Sequence, residues 1–374
     1  MHRRSRWIMT TMGALALMAG SVVPSQAQDI KFFRIGTGSI SGVYFPVGGL
    51  IASAISHPPG ASLCGEGGSC GVPGMVAVAQ ASRGSLSNIR DIRAGRLESA
   101  LVQSDIAYLA VNGKAPFAGK KAVPGLRAVA SLYPEAVHVV VRRDSPIKTI
   151  GDLRGRRISL DLKGSGTRSI ARLVLKRYGV GPKAVAHLNS QIGPAVDRLR
   201  SGKIDAFFFV GGYPAPVISQ LARDVPIRLL PIDGRQAAAI RKTEPFLGSV
   251  SLPASVYGRS AATQTLAVGA LLVVAETVRE DVVYGVTRAL WHPSTRQILD
   301  QAPRAARRMR LENALAGLAI PLHKGAARYY RERKLLDGGA PKPQADGDGA
   351  AGGAPSKIPG PPAKGAPDGA GGKP

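Results

Sequence analysis

Apolar and polar positions in the first part of the chain predict a strand, a small-residue loop and a helix in succession. Residues 31–35 are predicted as a short strand, and a Gly/Ser/Thr loop follows over residues 36–42. The next helix begins near Pro46, because proline suits the first turn of a helix. Apolar side chains at helical spacing give this helix one buried face: Val47, Leu50, Ile51, Ala54 and Ile55.

The same order recurs further along the chain. Residues 157–160 predict a short strand, residues 163–167 a second Gly/Ser/Thr loop, and an amphipathic helix follows to Gly179. In each half a later helix, closed by Gly95 or Gly202, leads into a buried strand. This shared plan predicts an α/β fold of two lobes. Chance similarity between common α/β patterns is the alternative interpretation.

Apolar runs outside these units indicate how the chain passes between the lobes. Residues 136–141 suit a strand that crosses from the first lobe to the second, and residues 226–232 and 249–256 could carry the chain back. The apolar run 265–275 is too short for a membrane span and indicates buried core. Amphipathic helices are predicted after this run, near residues 281–290 and 313–318.

These elements divide the working protein into three stretches. Lobe 1 takes residues 28–135, lobe 2 takes residues 136–250, and residues 251–337 return to lobe 1 and add C-terminal helices.

Both ends of the chain lie outside this pattern. Residues 1–27 combine a basic start, an apolar run and the small residues before Gln28, which is typical of a signal peptide for export to the periplasm. An uncleaved anchor is the alternative, but the apolar run is too short for stable membrane insertion. Residues 338–374 consist almost entirely of Gly, Pro, Ala, Lys and Asp and are predicted as a disordered tail.

The chain is strongly basic, with a formal net charge of +26. Such a charge favours anionic partners. Nucleic acid is disfavoured as a partner, because aromatic residues make up only 5% of the chain and no basic-aromatic platform is present. A second class remains open, a basic exported protein that binds anionic envelope polymers or lipid headgroups through its surface charge.

Two cysteines, Cys64 and Cys70, lie in one Gly-rich stretch. An isolated pair in an exported protein predicts a structural disulfide. A metal site would require more ligands, and the neighbouring sequence contains no histidine or further cysteine. We therefore expect no metal at this pair.

The sequence gives little support for a catalytic function. The sequence contains no G-x-S-x-G and no H-E-x-x-H. Ser145-Pro-Ile-Lys148 matches S-x-x-K, but its proline indicates a turn in which the two side chains do not share a helical face. The loop 36–42 has the spacing G-x-G-x-x-x-G, which departs from the dinucleotide-binding fingerprint. The sequence predicts a binding protein and not an enzyme such as a secreted hydrolase.

The two Gly/Ser/Thr loops, 36–42 and 163–167, are the first candidates for a binding site. Glycine lets the backbone approach a ligand closely, and the free N–H groups at a helix start attract anions. Two further segments, 103–105 and 211–214, follow buried strands, where open α/β sheets bind ligands. An N-cap role for Asp105 and a plain turn at Tyr213-Pro214 are the alternatives.

At these residues the sequence resembles the TAXI family, the TRAP-associated extracytoplasmic immunogenic proteins. The resemblance runs in order from about residue 31 to 331 and is carried by short motifs. They are Ile35-Gly-Thr-Gly-Ser39, Gly42-Val-Tyr44-Phe-Pro46, Val102-Gln-Ser-Asp105, Ala130-Ser-Leu-Tyr-Pro134, Gly164-Ser-Gly-Thr167, Lys203-Ile-Asp-Ala-Phe-Phe208, Gly212-Tyr-Pro214, Leu230-Pro-Ile-Asp-Gly234, Glu312-Asn-Ala-Leu315 and Ile320-Pro-Leu-His323.

The resemblance implies a bilobed periplasmic-binding-protein fold of type II, with two α/β lobes joined by crossing strands. It implies a receptor that captures a small organic anion or acidic amino acid without a cofactor. We expect this receptor to be a monomer. The partner would be a TRAP permease, often with its membrane subunits fused, driven by an ion gradient.

The resemblance also assigns ligand contacts by position, with Glu135 and His138 as weaker candidates. The main contacts it implies are Thr37, Gly38, Ser39, Gly42, Tyr44, Gln103, Ser104, Asp105, Gly164, Ser165, Gly166, Thr167, Gly211, Gly212 and Tyr213. Val43 and Phe45 depart from the hydroxyl-bearing residues that usually flank Tyr44 in the family, which could alter the choice of ligand.

Overall fold

The strands alternate with helices along the chain, as the hydrophobic pattern predicts. A computed structural model describes residues 30–62, 64–66, 70–258 and 261–336, so the predicted signal peptide and tail lie outside the described residues. The strands are β1 (Lys31–Gly36), β2 (Ser56–His57), β3 (Val72–Pro73), β4 (Met75–Gln80), β5 (Ser99–Gln103), β6 (Leu126–Arg142), β7 (Arg157–Ser159), β8 (Ala186–Leu188), β9 (Ala206–Gly211), β10 (Ile227–Leu229), β11 (Gly248–Leu252) and β12 (Thr263–Ala275).

The helices connect these strands and cover both faces of the sheet. They are α1 (Tyr44–Ile55), α2 (Ser85–Arg93), α3 (Ser104–Val111), α4 (Gly166–Arg177), α5 (Ile192–Arg200), α6 (Pro216–Asp224), α7 (Gly234–Thr243), α8 (Glu280–Leu290), α9 (Pro293–Gln301), α10 (Arg304–Arg307) and α11 (Lys324–Glu332). No helix among them is long and apolar enough to cross a membrane.

The strands form one sheet in the order β3-β2-β4-β1-β5-β12-β6-β9-β7-β8. In the first half β1 pairs in parallel with β4 and β5, and in the second half β7 pairs in parallel with β8 and β9. Parallel neighbours with a helix in each connection make both halves α/β units. The predicted α/β fold of two lobes joined by crossing strands is confirmed.

Two long antiparallel strands join the halves at the centre of the sheet. Strand β6 pairs with β12 from Leu126 to Ala136 and continues along β9 from Ala136 to Val141. The predicted crossing strand is therefore confirmed and is longer than expected. The return is made by β12, so the prediction that residues 226–232 and 249–256 carry the chain back is wrong. Those segments form β10 and β11, which add to β6 and β12 in the second half.

The apolar run that was predicted as core is this return strand. Its β-branched residues suit a strand that is covered on both faces, and Leu271, Leu272, Val273 and Val274 are fully buried. The predicted boundaries at residues 135 and 250 fall inside β6 and β11 and stay predictions.

The C-terminal helices pack on the first half, where α8 contacts α1 and α11. The prediction of a helix at residues 313–318 is wrong, because the apolar side chains of this segment pack against two different cores. Leu315 packs against the core that contains α1, whereas Leu318 packs against the core under α2 and α3. Gly317 takes a φ of 64° that a helix cannot accommodate.

The predicted disulfide is present, with a Cys64–Cys70 sulfur–sulfur distance of 1.90 Å. The fold also brings the distant His292 to within 4.8 Å of both sulfur atoms. Sequence spacing could not show this neighbour. Because the two sulfur atoms are bonded to each other, Cys64 and Cys70 form a disulfide in this structure and not a metal site with His292.

Candidate functional site

The cleft between the two halves encloses a cavity of about 60 Å³ at the carboxyl ends of the strands. We call it the interlobe cavity. Its lining comes from both halves: Gly38, Ser39, Gly42, Val43, Tyr44, Arg83, Gly84, Ser85, Gln103, Glu135, Asp161, Ser165, Gly166, Thr167, Gln191, Ile192, Phe209, Val210 and Gly211.

The halves touch each other around this cavity. The Ser87 N–H of the first half donates to the Gly164 carbonyl of the second half at 3.1 Å. The Gln191 side-chain amide reaches back to the Ser82 carbonyl at 3.4 Å. Gly84 has a φ of 102°, and a Cβ atom there would lie 3.2 Å from the Ser165 Cα atom. The structure is thus closed over the cavity, and glycine permits the close approach.

Five helices begin at the interlobe cavity. The residues that precede their first turns all belong to the lining, and they are Val43, Gly84, Gln103, Ser165 and Gln191. Only Ser165 caps its helix through its side chain, by accepting a hydrogen bond from the Arg168 N–H at 3.1 Å. A helix start presents unpaired N–H groups and the positive end of the helix dipole. Their convergence makes the cavity suitable for an anion.

Arg83 is the one cationic side chain among the described lining residues. Two acids, Glu135 and Asp161, also reach the cavity. Burial raises the pKa of Asp161 to about 6 and that of Glu135 to about 8. At neutral pH the Glu135 carboxyl group is therefore mostly uncharged and does not repel an anion, whereas the Asp161 carboxyl group is mostly ionised.

Glu135 is fully buried and has one oxygen ready for a ligand. Its Oε2 atom accepts a hydrogen bond from the Tyr44 hydroxyl at 2.8 Å. Its Oε1 atom has no hydrogen-bond partner in the described protein. A buried polar atom without a partner costs free energy, which a ligand that supplies the missing bond would recover. The Glu135 Oε1 atom therefore leaves one hydrogen-bonding position open beside the interlobe cavity.

A second such atom lies beside the start of α4. The Gln103 Oε1 atom is buried and has no partner in the described protein. A Cβ atom at Gly166 would lie only 1.8 Å from it. Glycine at position 166 therefore allows the carboxamide of one half and the helix start of the other half to share the cavity wall.

The model of the NMT1-like family matches residues 35–333. The chain belongs to the NMT1-like family. Its structure is similar to that of the alkanesulfonate-binding protein SsuA from Xanthomonas axonopodis pv. citri, with 16% identity, coverage of 82% of this chain and 95% of that chain, and a TM-score of 0.43.

Two further solved structures are similar to this NMT1-like protein. The periplasmic aliphatic sulphonate binding protein SsuA from Escherichia coli is 13% identical, with 81% of this chain and 83% of that chain covered and a TM-score of 0.38. An ancestral arginine-binding protein bound to arginine is 12% identical, with 80% and 97% covered and a TM-score of 0.41.

The structure brings ten of the seventeen candidate residues of this NMT1-like protein into the interlobe cavity. Both Gly/Ser/Thr loops contribute, as expected. The ten are Gly38, Ser39, Gly42, Tyr44, Gln103, Glu135, Ser165, Gly166, Thr167 and Gly211. The Ser165 and Thr167 hydroxyls already accept hydrogen bonds from the Arg168 and Val210 N–H groups, so part of their hydrogen-bonding capacity is used within the second half.

Three other candidates hold the loops and strands in place. Thr37 is fully buried, and both its N–H and its hydroxyl donate to the Gln80 carbonyl, at 2.9 and 2.7 Å. The Ser104 hydroxyl accepts the Gly269 N–H. His138 lies within hydrogen-bond distance of the Phe209 carbonyl and the Tyr257 hydroxyl, at 3.3 and 3.0 Å. Their polar atoms face other parts of the protein.

The remaining candidates lie beside the interlobe cavity. Gly212 packs against Ala305, and the buried Tyr213 ring lies under the Arg308 guanidinium, 4.2 Å from its centre. Asp105 and Gly164 line a second cavity on the far side of the loop that contains Ser165.

Sequence reasoning missed nine lining residues, among them Arg83, Asp161 and Gln191. One signal could have found three of them, Arg83, Gly84 and Gln191. Residues 81–84 and 189–191 also join a strand to a helix through a short polar loop, like the two loops that were chosen. Counting every such junction, and not only the Gly-rich ones, would have predicted that more helices start at the cavity.

Proposed function

We propose that this chain is a periplasmic solute receptor of the TAXI type, which captures a small organic anion and delivers it to a TRAP permease. One observation carries the proposal: the starts of five helices, contributed by both halves, surround one closed cavity. Free N–H groups from both halves would bind the same anion, so the ligand would hold the halves together. The sequence motifs of the TAXI family and membership of the NMT1-like family support the same assignment.

An acidic amino acid uses the lining of the interlobe cavity most completely. Its carboxylate groups would accept hydrogen bonds from the N–H groups at the helix starts and from the Arg83 guanidinium. Its ammonium group would donate to the Oε1 atom of Glu135, which has no partner in the described protein. A charge-assisted hydrogen bond of this kind contributes about 1.5–3 kcal/mol.

The direct test is to identify what the receptor carries. The protein should be expressed in its native periplasm, purified without denaturation, and then denatured for mass spectrometry of the released small molecules. We expect one predominant organic anion. Failure of any small molecule to stabilise the protein against heat, together with salt-sensitive association with polyanions, would instead identify a surface binder of envelope polymers.

The pH dependence of affinity distinguishes an amino acid from a purely anionic ligand. An ammonium group requires the ionised form of Glu135, whose pKa is raised to about 8 by burial. Affinity should therefore increase as the pH rises from 6 to 8, by roughly tenfold or more. Isothermal titration calorimetry with the identified ligand measures this change. A decrease over the same range would mean that protonated Glu135 donates to a ligand oxygen, which excludes the ammonium contact.

A further inference from the structure

A second cavity of about 490 Å³ lies behind the loop that lines the interlobe cavity. One wall is formed by α2, α3 and the chain after α3. The other wall is formed by α4, the loop before it and the chain after α7. We call it the rear cavity, and its lining residues are Leu86, Asp105, Leu109, Ala115, Pro116, Lys163, Gly164, Ser165, Arg168, Ser169, Ile170, Arg172, Leu173, Glu244 and Phe246. Its volume falls in the range of cavities that bind small organic molecules.

The walls of the rear cavity are largely apolar. Leu86 and Phe246 are buried, and Leu109 and Leu173 are half-buried, so hydrocarbon faces the cavity from both halves. Burial of the exposed part of these side chains by a ligand would be favourable. The body of a ligand that fits this cavity is therefore apolar.

One polar group stands out against this apolar lining. Asp105 is only 3% exposed, and its Oδ1 atom has no hydrogen-bond partner in the described protein. The half-buried Glu244 lies on the opposite wall, close enough for its charge to act on Asp105. Two acids that face each other in an apolar setting favour a hydrogen-bond donor that carries positive charge.

The cations in the lining do not supply that charge. Arg168 is occupied, because its guanidinium contacts the Asn189 side chain and the Asp161 carbonyl. Lys163 and Arg172 are exposed at the rim, where solvent and salt screen them. The Oδ1 atom of Asp105 is therefore left to a ligand.

We propose that the rear cavity binds a small apolar amine, whose ammonium group donates to the Asp105 carboxylate while its hydrocarbon body packs against the leucine and phenylalanine side chains. The site is separate from the proposed solute site. Because Ser165 lines both cavities, an amine in the rear cavity would bridge the two halves beside the solute.

The test uses 2-phenylethylamine as the probe and the full mature protein at pH 8, with affinity measured by calorimetry. Wild-type protein should bind the amine, and Asp105→Asn should weaken binding at least tenfold without loss of the folded circular dichroism spectrum. Asp281→Asn is the matched control, because it makes the same change from acid to amide at an exposed position in the first turn of α8. It should leave the affinity for the amine within about twofold of wild type.

Two further measurements examine the apolar body and the charge. Leu173→Trp should fill the rear cavity from α4 and block the amine while Asp105 stays intact. Burial raises the pKa of Asp105 to about 7, so affinity should increase between pH 6 and 8. The charged side chains around Asp105 are Lys163, Arg168 and Arg172 on one wall and Glu244 on the other. Glu135 of the interlobe cavity is also close enough for its charge to act on Asp105.

Three outcomes would overturn the proposal. Equal binding of 3-phenylpropionate would indicate an anion site at Lys163 and Arg172. Loss of amine binding in Glu135→Gln but not in Asp105→Asn would place the amine in the interlobe cavity. No detectable binding of the amine by wild-type protein would mean that the rear cavity takes no such ligand.

Discussion

Replacement of Gly166 by valine should reduce solute affinity at least tenfold, and we expect the largest effect of any single glycine substitution in the interlobe cavity. A Cβ atom at this position would lie 1.8 Å from Gln103 Oε1 and 2.5 Å from Gln103 Cδ. Either the carboxamide must move into the cavity or the start of α4 must retreat from it. Both movements disturb the hydrogen-bond donors offered to the anion. A tenfold loss corresponds to about 1.4 kcal/mol, and overpacking commonly costs about 1–3 kcal/mol.

The matched control is Gly49→Val, which makes the same change inside α1. A Cβ atom at Gly49 meets nothing within 4 Å, so solute affinity should stay at the wild-type value. Circular dichroism and thermal unfolding must show that Gly166→Val is folded before its affinity is measured by calorimetry. The double variant with Gln103→Ala removes the obstructing carboxamide and should recover stability. A folded Gly166→Val protein that binds as tightly as the control would show that the solute does not use this wall.

Replacement of Glu135 by glutamine should stabilise the empty receptor at high pH while it weakens solute binding. Burial raises the pKa of Glu135 to about 8 in the folded protein, from 4.5 as the ordinary value. The folded state therefore holds this proton more tightly than the unfolded state, and wild-type stability falls as the pH rises from about 4.5 to 8. Glutamine carries no such proton. The stability difference should grow over this range to roughly 3–5 kcal/mol at pH 9, since one pKa unit corresponds to about 1.4 kcal/mol.

The experiment compares urea unfolding of the two proteins at pH 4, 7 and 9. The free energies of unfolding should differ little at pH 4 and diverge above it, with Glu135→Gln the more stable protein. Solute affinity should fall at least tenfold in the same variant, because the charged acceptor is lost. Glu312→Gln, a change at an exposed position, should alter neither quantity. A variant that is less stable than wild type at pH 9 would contradict the assigned burial of an acid.

The sequence predicted the elements whose signals are local. The strand–loop–helix units at β1–α1 and β7–α4 were found, because glycine-rich loops and helical spacing are properties of neighbouring residues. The return strand was not predicted as a strand, because an apolar run such as Thr263–Ala275 indicates burial but does not show which element is buried. Only its partners, β5 and β6, determine its conformation and place.

The candidate site shows the same limit. Both Gly/Ser/Thr loops were predicted to meet, and the structure brings them together. Asp105 and Gly164 were expected at the same cavity, but they lie one loop thickness away in the rear cavity. A shift of this size depends on which face of α3 and α4 packs inward, and sequence motifs do not record it. Glu135 was a weaker candidate, because no local sequence pattern shows that this residue of β6 lies next to Tyr44 at the start of α1.

The central position of β12 has a consequence for how the polypeptide folds. The Ser99 hydroxyl bonds to the Val273 carbonyl, 174 residues away, and the Tyr330 hydroxyl bonds to the Val129 carbonyl, 201 residues away. Contacts over such separations form late and slow the folding of a domain. A growing chain would have β1, β4 and β5 available long before the strand that completes their sheet. The first half begins the sequence, but its sheet cannot be completed until β12 has been made, after every other strand of the second half.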